Sequence, residues 1–125
     1  MRAAKLNDWK TEPLPSQRTT ISINRTFSEK EMQRIRRGLV PEQMEDKWFI
    51  YWKDDALFFH RSWTGSCIYV VHFVTENGSW KMIEAEVNRN PKQYTEKSDE
   101  KDVEIISYLI DVLLLHKDAK FPTIY

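Results

Sequence analysis

At 125 residues the chain has the length of one domain built around one hydrophobic core. Its 19 basic and 19 acidic side chains cancel, which excludes a net positive field toward nucleic acid, and its single cysteine, Cys67, excludes an internal disulfide framework and a cysteine-based zinc site. Three glycines are too few for a glycine-rich phosphate loop, and the longest apolar run, Ile105 to Leu115, is broken by Ser107 and Asp111 and is too short to span a bilayer.

Residues 1–18 mix charges with Pro13 and Pro15, show no periodicity and read as an extended arm pinned by Trp9. No apolar stretch follows Met1-Arg2-Ala3-Ala4, so a cytoplasmic, reducing setting is expected, without membrane attachment. The arm opens a basic front: residues 1–40 hold nine Lys/Arg against four Asp/Glu, whereas residues 41–125 hold ten against fifteen. These halves are expected to attract one another inside the fold. Ile21 and Ile23 then alternate with polar residues between Thr19 and Arg25, as on a strand with one buried face. A helix follows, with Ser28 as cap, Glu31 completing a capping box, Phe27 and Met32 spaced as a hydrophobic staple, and Gly38 as its stop.

Residues 47–88 read as four strands in a meander: Lys47 to Lys53, Ala56 to Trp63, Ser66 to Glu76 and Ser79 to Asn88. Asp54-Asp55, Thr64-Gly65 and Asn77-Gly78 have the composition of two-residue hairpin turns. A polar loop after Pro91 leads to a second helix, opened by Ser98 or Asp99 and running to about His116. The expected whole is a single α+β domain over residues 1–125: an arm (1–18), a core (19–116) with an antiparallel sheet of four or five strands and two helices, and a tail (117–125) whose Phe121 to Tyr125 docks.

Two-residue turns fix a register in which Lys53 faces Ala56, Trp63 faces Ser66 and Glu76 faces Ser79. One face then collects Trp48, Ile50, Trp52, Leu57, Phe59, Ile68, Val70, Val74, Ile83, Ala85 and Val87, with His72 on this core side. The other collects Phe49, Tyr51, Phe58, His60, Tyr69, Val71, Phe73, Trp80, Met82, Glu84 and Glu86, too aromatic to stay wet. Its expected cover is the arm or, in a homodimer, a second copy of the chain. In that register Phe49, His60, Tyr69 and Glu86 share a row, which makes His60, Tyr69 and Glu86 the candidates for acid–base chemistry. His60, His72 and His116 have no ligand spacing, so neither a metal nor another cofactor is expected, and Cys67 reads as a buried structural thiol.

The sheet's two ends differ. One carries only Asp54-Asp55 and Asn77-Gly78, which the turns require; the other gathers Arg61, Trp63, Thr64 and Ser66 with Asn88 and Arg89. Guanidinium forks and an indole suit a small anion bearing a ring, so these six residues form the expected ligand site.

The stretch Lys47-Trp48-Phe49-Ile50-Tyr51-Trp52, with Phe59-His60-Arg61-Ser62-Trp63-Thr64-Gly65, Glu84-Ala85-Glu86-Val87-Asn88-Arg89 and Tyr108-Leu109-Ile110-Asp111, resembles a group of small, mostly uncharacterised bacterial proteins whose neighbours process ADP-ribose. That resemblance implies no activity and no catalytic residues. Residues and resemblance together lead to the expectation of a non-enzymatic binding or accessory protein for a small anionic, nucleotide-like ligand or a protein partner. The alternatives are a small hydrolase or transferase acting on a nucleotide or ADP-ribosyl group, and an inhibitor or immunity-type interaction protein.

Overall fold

The structure, a computed structural model, describes residues 3–118 and 121; of the expected docking tail, residues 122–125 lie outside the described residues. Five antiparallel strands form one sheet: β1 (Arg18–Phe27), β2 (Trp48–Lys53), β3 (Ala56–Arg61), β4 (Cys67–Glu76) and β5 (Ser79–Asn88). Their spatial order is β1-β5-β4-β3-β2, so the last four make a meander and the first strand crosses over to pair with the last. Helix α1 (Glu29–Ile35) lies in that crossover, and α2 (Asp99–Leu109) continues into a π-helical turn over Ile110–Leu114.

Local chemistry accounts for the element ends. Ser28 Oγ accepts from Glu31 N at 3.1 Å and Glu31 Oε1 accepts from Ser28 N at 3.0 Å, closing a reciprocal capping box. Ser98 caps α2 in the same way through Lys101 N at 3.2 Å. Asp54 and Asp55 (φ 53° and 59°) and Asn77 and Gly78 (φ 50° and 80°) make tight turns in which both central residues are left-handed. Gly38, with φ 65°, ends the α1 region where a Cβ would meet Ile50 O at 2.1 Å. That close approach lets Leu39 bridge to Ile50 at the outer edge of β2.

Both helices pack on one face of the sheet, here called inner. Met32, Ile35, Ile105, Ile106, Leu109 and Ile110 join Ile50, Leu57, Phe59, Tyr69, Val71 and Phe73 in one buried cluster. Asp111, polar within an apolar helix, is explained by its fork with Arg25 at 2.6 and 3.2 Å, which ties the basic front of the chain to its acidic rear.

The expected register holds at Lys53↔Ala56 and Glu76↔Ser79 and fails between β3 and β4. Arg61 N donates to Ser66 O at 2.9 Å and Gly65 N to Arg61 O at 2.8 Å, so the turn is the longer loop Ser62-Trp63-Thr64-Gly65. Ser62 is committed elsewhere: its N donates to Lys47 O at 2.9 Å and its Oγ to Asp46 O at 2.6 Å. Bulges follow, since Phe59 pairs with Tyr69 but His60 with Cys67, and His72 with Glu84 but Phe73 with Met82. A one-residue slip exchanges faces. Tyr69, Val71, Phe73, Met82 and Trp80 therefore belong to the inner face, Val70 and His72 to the outer, and Val74 and Ile83 are 39% and 37% exposed instead of core.

Candidate functional site

The row of His60, Tyr69 and Glu86 does not exist as expected: Tyr69 opposes Phe59 and Val87, and its ring points to the helices while His60 faces the arm. Tyr69 Oη lies 2.5 Å from Tyr94 Oη, which donates to Asp102 Oδ1 at 2.6 Å. Asp102 is fully buried, and its other oxygen accepts from Arg89. Burial pushes both phenols well above their ordinary range, with the neighbouring tyrosine or aspartate adding to it.

That network also absorbs part of the expected ligand site. Arg89 donates to Asp99 at 2.7 Å, to Asp102 and to Glu96 O at 3.3 Å, so its fork is occupied. Burial lowers its pKa, but the bonds to Asp102 and Asp99 outweigh that and hold the guanidinium above its ordinary value. Asn88, fully buried, donates to Cys67 O at 2.9 Å and Gln93 Oε1 at 2.8 Å and accepts from Asn90 N at 2.8 Å. Arg61 lies over the Trp48 ring, 4.7 Å from its centroid. Thr64 Oγ1 accepts from the backbone of the buried Ser66 at 3.2 Å. Trp63 is 65% exposed beside a different cleft of about 600 Å³, where its Nε1 donates to Met44 O at 3.0 Å and Lys47 Nζ sits 4.6 Å from its ring. The structure thus commits Arg89 to Asp102 and Asp99 and Asn88 to Cys67, Gln93 and Asn90, and turns Trp63 toward Trp9 and the 41–44 segment.

The outer face is where a concavity and unsatisfied chemistry coincide. The arm crosses it, held by Ala4 N to Arg37 O and Glu12 N to Gly65 O, both 2.8 Å, and by Trp9 Nε1 to Ser62 O at 2.8 Å. Gly65 permits this crossing, because a Cβ there would stand 2.9 Å from Lys10 O. Ala4 and Trp9 pack with Phe49 and Tyr51 at one end, and Leu14 with Ala56, Cys67 and Val70 at the other. Between them remains a groove of about 560 Å³. Its floor is a run of nearly parallel rings: Phe58 and Tyr51 with centroids 4.8 Å apart at 1°, then Tyr51 and His60 at 5.7 Å and 17°. At its mouth Arg18 donates to Glu86 Oε1 at 3.1 Å, and Glu86 Oε2 lies 2.9 Å from His72 Nε2. The hydrogen bond from His72, followed by Arg18, holds the Glu86 carboxyl below its ordinary value.

His60 is 3% exposed, and its Nε2 is the one buried side-chain nitrogen or oxygen without a hydrogen-bond partner among the described residues. Burial pulls its pKa below 6.5, against the opposing pull of the Gly65 carbonyl. Burial likewise pushes Tyr51 and Cys67 up to about 12. Cys67, directly opposite His60, is therefore a thiol and not a nucleophilic thiolate.

Of these groove residues the sequence had singled out His60 and Glu86. Leu14, Arg18, Tyr51, Phe58 and Val70 were missed as site residues, because only the path of the arm brings them together. The apolar residues Leu6, Trp9 and Leu14 within an otherwise polar arm were the available signal. Among the described residues no His, Cys, Asp and Glu group is placed to hold a metal, and no helix is long and apolar enough to cross a membrane. Compared with protein-family models, curated proteins and solved structures, the chain matches none.

Proposed function

We propose that the chain is a non-enzymatic binding protein whose site is the groove between the N-terminal arm and the outer face of the sheet, and that its ligand is a small ring-bearing molecule. The observation that carries this reading is His60 Nε2, the one fully buried side-chain nitrogen or oxygen without a hydrogen-bond partner among the described residues, on a residue that lines the groove. An unsatisfied buried acceptor costs stability, and a bound ligand is a direct way to recover that cost. Mostly apolar, aromatic walls with few polar groups are what small-molecule sites use. The alternative of a hydrolase or transferase finds less support: Cys67 stays protonated, Tyr69 faces the core, and Glu86 is held by Arg18 and His72. Nor does this site call for an anion, since Arg18 and His72 are both engaged by Glu86 and the other charged residue of its lining, Glu12, is acidic.

A thermal-shift panel of nucleosides, ADP-ribose and uncharged ring compounds tests the reading, because a ligand that binds only the native state raises its apparent stability. A compound that stabilises the wild type is expected to lose its effect on Leu14→Trp, which fills the groove from the arm side. Stabilisation that survives Leu14→Trp, or disappears only on changing Arg61, would move the site away from the groove.

A further inference from the structure

The groove's chemistry narrows the ligand further than its shape does, resting on the reading of the groove as the binding site. His60 Nδ1 lies 2.9 Å from Gly65 O, and that carbonyl also accepts from Glu12 N at 2.8 Å. A carbonyl oxygen only accepts, so Nδ1 carries the hydrogen. In the neutral ring that leaves Nε2 with a bare lone pair. The tautomer is thus dictated by the backbone of the β3–β4 loop. Only a donor satisfies Nε2. A carbonyl, ether, carboxylate or phosphate oxygen would instead face it lone pair to lone pair.

The surroundings of that acceptor are aromatic and mostly apolar. Phe58, Tyr51 and His60 stack on one another with nearly parallel rings, and Val70 and Leu14 line the groove beside them. The charged or titratable side chains of its lining besides His60, Tyr51 and Cys67 are Glu12 on the arm and Glu86, which engages both Arg18 and His72. We infer that the ligand is a planar aromatic molecule bearing a ring N–H or a phenolic O–H, inserted donor-first, and that His60 is the residue that selects it. Phenols and fused N–H heterocycles such as indoles fit this description, and their N- or O-methylated forms do not. Entry requires the arm to part from the sheet near Thr11 to Leu14, a stretch whose backbone bond to the sheet runs from Glu12 N to Gly65 O. Methylation changes ring size and apolarity little and deletes the donor, so matched pairs isolate the interaction.

The test titrates indole, 1-methylindole, phenol and anisole into the full-length wild type and His60→Leu, following amide and histidine ring ¹⁵N resonances. Each donor compound is expected to bind the wild type about tenfold or more tightly than its methylated partner, since the methylated form leaves a buried acceptor unpaired. His60→Leu should erase that preference while still binding 1-methylindole. The perturbed amides should include those of Tyr51, Phe58 and Val70. Equal affinity of the methylated and donor forms at those same amides would overturn the selection by His60 and leave the groove as the site. If none of the four binds, or if the shifts fall outside the groove, then Nε2 is satisfied by water and both readings fall. The wild-type comparison between matched compounds needs no variant, so it stands even if His60→Leu folds poorly.

Discussion

The two faces of the sheet bury polar groups in opposite ways. Under the helices, Tyr69, Tyr94 and Arg89 converge on Asp102, whose buried carboxylate accepts from Arg89, from Tyr94 at 2.6 Å and from Tyr69 at 3.5 Å. Under the arm, His60 keeps one nitrogen unpaired and Tyr51 and Phe58 stand open to a groove. A helix brings a regular stripe of side chains and packs without gaps, so any polar group beneath it must be satisfied or it destabilises the fold. An extended arm with Pro13 and Pro15 is anchored on this face at separate points, among them Ala4, Trp9, Glu12 and Leu14, and leaves space between them. The buried polar residues of the inner face consequently bond one another, whereas on the outer face His60 keeps an unpaired nitrogen.

The strongest way to break this contrast is to remove Arg89. Arg89→Leu strips the ionic partner from a fully buried Asp102, and denaturant unfolding should show a loss of about 3–5 kcal/mol. A loss of less than about 1 kcal/mol would mean that the inner network is as dispensable as a surface pair. Next in size is Gly65→Ala, which forces a side chain onto a φ of 79° and against Lys10 O. It should cost about 1–2 kcal/mol and lift the arm, exposing Tyr51 to a soluble quencher. Unchanged quenching would show that the arm does not depend on that close approach.

Replacing His60 with Leu should change stability at neutral pH by less than about 1 kcal/mol, because the acceptor it removes is already unpaired and Gly65 O keeps Glu12 N. Its pH dependence is more telling. The folded chain holds His60 below 6.5, so as the pH falls past 6.5 the unfolded chain takes up a proton that the folded one resists. Stability is complete above pH 6.5 and declines toward the lower folded value, and His60→Leu should flatten that decline. The other titratable groups around the groove leave this window readable by difference. Tyr51 and Cys67 stay neutral, Glu86 titrates below its ordinary 4.5, and His72, Arg18 and Glu12 are common to both proteins. The smallest effect is chemical: at pH 8 Cys67 in the wild type should resist a thiol-reactive dye, since it is buried and protonated, and should react faster in Gly65→Ala. Equal reactivity would place the thiol beyond the reach of the arm.

Much of the fold was legible because its signals are local. Ser28 with Glu31 closes a box four residues long, Asn77-Gly78 and Asp54-Asp55 supply left-handed backbone, and alternation in β2 and β3 assigns Trp48, Ile50, Phe49 and Tyr51 to the faces they occupy. The aromatic outer face signalled a cover, and Ala4, Trp9 and Leu14 of the arm pack on it. What tertiary structure alone decided is the phase of β4. Ser62 bonds to the 46–47 backbone instead of closing a two-residue turn, a bulge absorbs the difference, and Tyr69 moves from the face of His60 to the face of Asp102. Because a strand repeats every second residue, one extra residue reverses every side chain until the next bulge, and nothing in the local sequence of β4 marks where that residue falls. The same holds for Arg89, whose side chain could have faced an anion or an aspartate, and which the packing of α2 gave to Asp102. The sequence by itself determined the strands, the caps and the tight turns at Asp54-Asp55 and Asn77-Gly78; long-range competition for hydrogen-bond partners decided which side chains meet, and hence that a groove and the unpaired nitrogen of His60 lie beneath the arm.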